Sequence, residues 1–199
     1  MTSLAGQTLF LSASFPHGER AERFPEADPA EIADAVTAVV RAVLQAGGRL
    51  VFGAHPTISP LVLLVAGEYG RPDVVEIFQS RQYEPIVPAE TRRLAERGFG
   101  AIRWTDDVGD RTENLALMRR AMLDRELAAG VFVGGMEGVV EEFELFGERL
   151  RFVIAAPGGA ARELAEHAAL PPGFAQHVDS PRYPAVARAI VEQVAASRA

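Results

Sequence analysis

Apolar and polar positions alternate along this chain between two kinds of block. Short runs of β-branched and aromatic residues, bounded by glycine or polar turns, read as buried strands. They are Thr8–Ser14, Arg49–Gly53, Asp73–Ser80, Gly100–Trp104, Val131–Val133 and Leu150–Ala155. Between them lie longer stretches with helical spacing. Ile32, Val36, Val39, Val40 and Val43 repeat on one face of a helix opened by Asp28-Pro29 and closed by Gly47-Gly48. Glu31 completes a box-like start for that helix. Ser59-Pro60 reads as the cap and first residue of a second helix that ends near Gly70, and Pro88 to Arg97 as a short third. Asp110 with Glu113 opens a long helix that closes at Gly130. Further helices follow Gly138, Gly159 and Pro184. Phe15 to Ala27, with Pro16, Gly18 and Pro25, is a loop.

Strands alternate with helices throughout. The expected fold is therefore α/β: a Rossmann-like, doubly wound and mainly parallel sheet with helices on both faces, in one domain over residues 1–199. Ligands of such sheets bind beyond the carboxyl ends of the strands. The turns at Ser12–Ser14, Gly53–Ser59, Gln79–Ser80 and Gly134–Gly138 belong to that edge.

The stretch from Gly130 to Phe146 draws most attention. Val131, Phe132 and Val133 end in Gly134-Gly135-Met136-Glu137-Gly138, and a helix then starts near Gly138. Glycines allow a tight turn with uncovered backbone N–H groups, and a helix N-terminus attracts anions, phosphate above all. Glu142 lies one helical turn beyond Gly138, on the same face. A carboxylate beside a phosphate cradle suits a ligand that also carries ribose hydroxyls. The competing reading is a plain α/β turn whose glutamates merely favour a helix N-terminus.

Composition narrows the chemistry. Apolar residues make up 48% of the 199-residue chain, enough for a substantial core. The net charge of −7 argues against nucleic-acid or anionic-membrane partners. No basic, apolar leader and no run of membrane-spanning length is present, which makes a cytoplasmic location the expectation. The absence of cysteine removes disulfides and thiolate chemistry. The absence of lysine removes P-loop, Schiff-base and pyridoxal-phosphate chemistry, so an anion would fall to arginine, backbone N–H groups or hydroxyls. The four histidines show no metal-ligand spacing, and no metal or cofactor is expected. A Gly-x-Ser-x-Gly elbow is missing, and the dinucleotide glycines do not follow the first strand, so hydrolase and dehydrogenase readings are disfavoured.

Arg119 is the sharpest clue after Glu142. On its helix, Leu115, Met118, Met122 and Leu123 form the apolar face, and at about 100° per residue Arg119 falls within it. A charge there either pairs with a carboxylate or reaches a site. His55 is either a turn histidine or a ligand contact.

Together these motifs resemble a known family. Met118-Arg119-Arg120-Ala121-Met122, a strand, then Gly134-Gly135-Met136-Glu137-Gly138-Val139-Val140-Glu141-Glu142 resembles the signature of the Lonely Guy (LOG) enzymes. Leu11-Ser12-Ala13-Ser14 and Val51-Phe52-Gly53-Ala54 stand where that family has its Gly-Ser-Ser and glycine-rich turns. The chain departs in four details: no proline precedes Gly134, one extra residue separates the glycines from the glutamate, Val139 replaces threonine, and Arg120 replaces lysine. His55-Pro56-Thr57-Ile58-Ser59-Pro60 and Phe78-Gln79-Ser80 look closer to the non-enzymatic branch of the wider SLOG superfamily (Smf/DprA–LOG). That branch includes sensor domains of Thoeris anti-phage effectors and of TRPM channels. The resemblance implies a sensor-type site for a small-molecule nucleotide derived from NAD or ADP-ribose. The alternative is LOG-like N-glycosidase activity on a nucleoside 5′-monophosphate. It also implies a homo-oligomer, with an effector protein among the implied partners. The expected ligand-binding set is Ser12, Ser14, Gly53, His55, Thr57, Ser59, Gln79, Ser80, Arg119, Gly134, Gly135, Met136, Glu137, Gly138 and Glu142. Glu142 and Arg119 would be catalytic if the protein is an enzyme.

Overall fold

The apolar runs form six strands of one parallel sheet, β1 (Thr8–Ser14), β2 (Arg49–Gly53), β3 (Val75–Ser80), β4 (Ala101–Thr105), β5 (Ala129–Gly134) and β6 (Arg151–Ile154). Their spatial order is 4-3-2-1-5-6, and every neighbouring pair is parallel. Seven α-helices are present among the described residues, 2–71 and 73–197 of this computed structural model. They are α1 (Pro29–Gln45), α2 (Ile58–Gly67), α3 (Ala89–Glu96), α4 (Arg111–Leu123), α5 (Glu137–Phe146), α6 (Ala160–His167) and α7 (Tyr183–Ala196).

A parallel sheet buries both faces, which is why its strands are apolar at successive positions. Leu9, Leu11, Leu50, Phe52, Val131 and Val133 point to a core shared with α1, α2 and α7. Phe10, Val51, Phe132 and Val153 point the other way, to Met118 and Met122 of α4, Phe143 and Phe146 of α5, and Ala160 and Ala161 of α6. Phe10 stacks on Phe146 at 5.6 Å, and Phe132 meets Phe143 edge-on at 4.9 Å. These ring contacts fix α5 against the sheet. The strand order reverses at β1: β2, β3 and β4 are added on one side of it, and β5 and β6 on the other. That reversal is the place where an open α/β sheet forms its crevice.

Several element boundaries differ from the sequence reading. The helix that was to run to Gly130 stops at Leu123. Ala128 already donates to the Thr8 carbonyl at 2.9 Å, and Ala129 pairs with Leu9. The strand ladder thus takes residues that helical spacing had claimed. β3 begins at Val75, after Asp73 turns with φ of 61°. α2 starts at Ile58, ahead of Ser59-Pro60, and Thr57 takes the cap position with no side-chain bond to the helix N–H groups. The loop after β1 contains a 3-10 turn, Gly18–Arg23, followed by buried Phe24. Asp28 caps α1 through the N–H groups of Ala30 and Glu31, but Glu31 does not close a box. Its carboxylate accepts instead from the Tyr183 hydroxyl at 2.6 Å, which ties α7 to α1.

Candidate functional site

A cleft of about 430 Å³ opens at the carboxyl ends of β1, β2 and β3. Its floor comes from Leu11–Ser14 and Gly53-Ala54, one wall from the start of α5, and another from Leu115, Met118 and Arg119 of α4. The outer wall comes from Tyr83 and the segment leading into α3.

The glycine turn has the conformation that only glycine adopts easily. Gly134 and Gly135 have φ of 58° and 84°. A Cβ on Gly135 would lie 2.2 Å from Val139 Cγ2, and one on Gly134 would lie 2.5 Å from Ile32 Cδ1. The turn is anchored on two sides, because the Gly135 N–H donates to the Ser14 carbonyl at 2.8 Å and its carbonyl accepts from Ala160 at 3.0 Å. Helix α5 then begins at Glu137 with no side-chain cap. Its first-turn N–H groups carry the positive end of the helix dipole at the cleft wall.

Two charged side chains from successive helices meet beside this turn. Arg119 Nε lies 3.6 Å from Glu142 Oε1, and the two side chains are only 12% and 13% exposed. Met118 and Met122, which flank Arg119 on the α4 stripe, are buried. Arg119 Nη1 also pairs with Glu141, which is 54% exposed. Nη2 would stand 3.2 Å from a Cβ on Gly138, so glycine there gives the guanidinium its room. Ser12 Oγ donates to Glu142 Oε2 at 2.6 Å. Burial pushes the Glu142 carboxyl above the usual range, against the opposing pull of the Ser12 hydrogen bond and the Arg119 charge.

The β2–α2 junction is built differently. The His55 N–H donates to Ser59 Oγ at 3.0 Å, and Ser59 N–H returns to the His55 carbonyl at 3.0 Å. His55 Nδ1 accepts from the Thr57 N–H at 3.4 Å and lies 2.9 Å from its hydroxyl. Burial, then the nearby His17, lowers the His55 pKa to about 4.

Not every residue expected at the site faces the cleft. Ser12, Ser14, Gly53, His55, Ser59, Gln79, Arg119, Met136, Gly138 and Glu142 line it. Gly134 and Gly135 shape the turn behind the wall, and Thr57 stands behind His55. Ser80 is fully buried; its hydroxyl donates to Asn114 Oδ1 at 2.9 Å and accepts from Gln82 N–H. Glu137 does not line the cleft; its Oε1 lies 3.4 Å from Arg23 Nη1. Spacing along the chain did not single out the remaining wall: His17, Tyr83, Ile86, Val87, Pro88, Thr91 and Arg111. The available signal was the position of Pro88 and Asp110, helix starts that follow β3 and β4 and so fall on the same sheet edge.

Among the described residues no group of three or more His, Cys, Asp or Glu is placed to hold a metal ion. None of the described helices is long and apolar enough to cross a membrane.

Comparison with known proteins adds fold and family. The chain is similar in structure to TM1055, known from an X-ray structure as a structural-genomics target, with a TM-score of 0.59. The two are 13% identical over 94% of this chain and 99% of that one, so this likeness speaks for the fold. No curated protein matches the chain. The model of the SLOG cluster3 family matches residues 22–183, which include the glycine turn, both charged residues and all of the cleft lining except its β1 floor and His17, and the chain belongs to that family.

Proposed function

We propose that the cleft binds a ribose-phosphate ligand, such as a nucleotide derived from NAD or ADP-ribose, and that the protein works as a nucleotide sensor. Membership of the SLOG family points to nucleotide-related ligands or to LOG-like activity. The observation that carries the finer reading is the meeting of Arg119 and Glu142 beside the uncapped start of α5.

The charges explain why a ribose phosphate suits this place. Arg119 stands between two carboxylates, so the side chains there sum to a negative charge. A bare anion would be repelled by Glu142. A sugar hydroxyl instead donates to Glu142, whose second oxygen already accepts from Ser12. Phosphate takes the N–H groups of the α5 first turn. Arg119 turns to it by releasing Glu141, an exposed side chain that loses little on returning to water.

A second reading rests on the Glu142 carboxyl itself. It is buried and oriented by Ser12, as a group that stabilises or attacks an oxocarbenium-like sugar must be. The protein would then be a LOG-like N-glycosidase. Calorimetry with AMP, CMP, NAD and ADP-ribose, followed by chromatography of the mixtures, separates the two. The expected result is saturable binding with no free base or nicotinamide. Release of base would transfer the assignment to the glycosidase, and absence of binding by all four would overturn both.

A further inference from the structure

The far end of the cleft, beyond β2 and β3, carries polar groups that the ribose-phosphate reading does not use. His55 Nε2 is buried and has no hydrogen-bond partner among the described residues. Its tautomer follows from the other ring nitrogen. Nδ1 accepts from the Thr57 backbone N–H, so in the neutral ring Nε2 carries the hydrogen. The low pKa of His55 keeps the ring neutral at physiological pH. Gln79 is fixed by the same logic. Its Oε1 accepts from the Ser80 N–H at 2.9 Å, which leaves the –NH₂ as the part free to meet a ligand. Thr91 Oγ1 is a third such group; the residue is 1% exposed, lines the cleft and has no partner among the described residues. Buried donors left unpaired in this way are uncommon unless something else satisfies them.

Around these groups the cleft is mostly apolar, with Arg111 and His17 adding a charge and an imidazole to that wall. Tyr83, Val87, Pro88 and Leu115 line it, and Ile86 stands 74% exposed at the rim. An apolar wall with a few fixed polar groups is the environment that a planar heterocycle fills well.

We infer that this end of the cleft is a base-reading subsite for an oxo-substituted heterocycle such as hypoxanthine, with His55 and Gln79 donating to its acceptor edge. This rests on the reading that ribose and phosphate occupy the Arg119–Glu142 end, and it narrows that reading from an adenine-bearing nucleotide to one whose base carries a ring oxygen. Two of the three polar groups are donors only, and the Thr91 hydroxyl adapts to either role. A ring oxygen meets them as an acceptor. An exocyclic amino group at the same position sets donor against donor and leaves buried groups unpaired, which discriminates by about tenfold or more. The main-chain N–H of residue 57 holds the His55 tautomer, and Thr57 does not itself line the cleft.

Calorimetric titration with IMP, AMP and ribose 5-phosphate tests this on the wild type, on His55→Phe with Gln79→Leu, and on His55→Gln. The wild type should bind IMP about tenfold or more tighter than AMP. The double variant should bind the two about equally, with ribose 5-phosphate affinity unchanged. His55→Gln, which keeps an N–H donor, should retain part of the preference and covers the case in which the double variant does not fold. AMP binding as tightly as IMP, or a gap that survives the double variant, overturns the inference. If ribose 5-phosphate binds but neither base adds affinity, the base subsite alone falls. If the wild type binds none of the three, the ribose-phosphate reading falls with it.

Discussion

Two strand-to-helix junctions face the same cleft and solve the same problem in opposite ways. At β5–α5 the turn is made by Gly134 and Gly135 in left-handed conformations. At β2–α2 no residue has positive φ, and Ser59 and Thr57 bond within the junction. The first leaves backbone N–H groups for an anion. The second spends its local hydroxyls on itself and presents one neutral ring. A short difference in turn chemistry thus separates a place suited to charge from a place suited to an uncharged, polar-edged group.

The same substitution at both junctions breaks this comparison most directly. Gly135→Ala puts a Cβ 2.2 Å from Val139 and strains a φ of 84°. It should cost about 3 kcal/mol in denaturant unfolding. At Gly53 the nearest atoms to a Cβ lie 3.5 Å away or farther, so Gly53→Ala should cost below about 1 kcal/mol. Equal costs would show that the two turns are not different in kind.

Removing the charge at the α5 side has the next largest effect. Arg119→Ala should weaken ribose 5-phosphate binding by about 2 kcal/mol, read by calorimetry. Unchanged affinity would place phosphate elsewhere.

The smallest effect is in pH dependence, where the two junctions should have opposite signs. The Glu142 pKa is raised in the fold, so its contribution is complete below its ordinary value of 4.5 and is lost as pH rises. Glu142→Gln should therefore raise the melting temperature at pH 7. The His55 pKa is lowered from 6.5 to about 4, so its contribution is complete above 6.5 and is lost as pH falls toward 4. His55→Gln should flatten stability across that interval. Melting curves from pH 4 to 8 that move together in both variants would refute the distinction.

Much of the architecture was legible before any coordinates. The alternation of strand and helix spacing predicted the parallel sheet, and an arginine within an apolar stripe marked Arg119 as a charge that needs a carboxylate partner or a site. Boundaries were less legible: α4 ends at Leu123, five residues before Ala128 joins the sheet ladder through Thr8. Hydroxyls were the least legible. Ser12 lies two residues before the end of β1 and Ser80 closes β3 at the same sheet edge, yet one holds Glu142 in the cleft and the other is consumed by Asn114.

Residue order alone determined which segments are strands, which turn needs glycine, and which helix carries a charge on its buried side, since each follows from local backbone sterics and periodicity. Only the tertiary structure decided that Glu142 meets Ser12 and Arg119, that Glu137 turns to Arg23, and that Thr91 closes the far wall. Those contacts join residues far apart along the chain, and their geometry depends on how α3, α4 and α5 pack on the sheet.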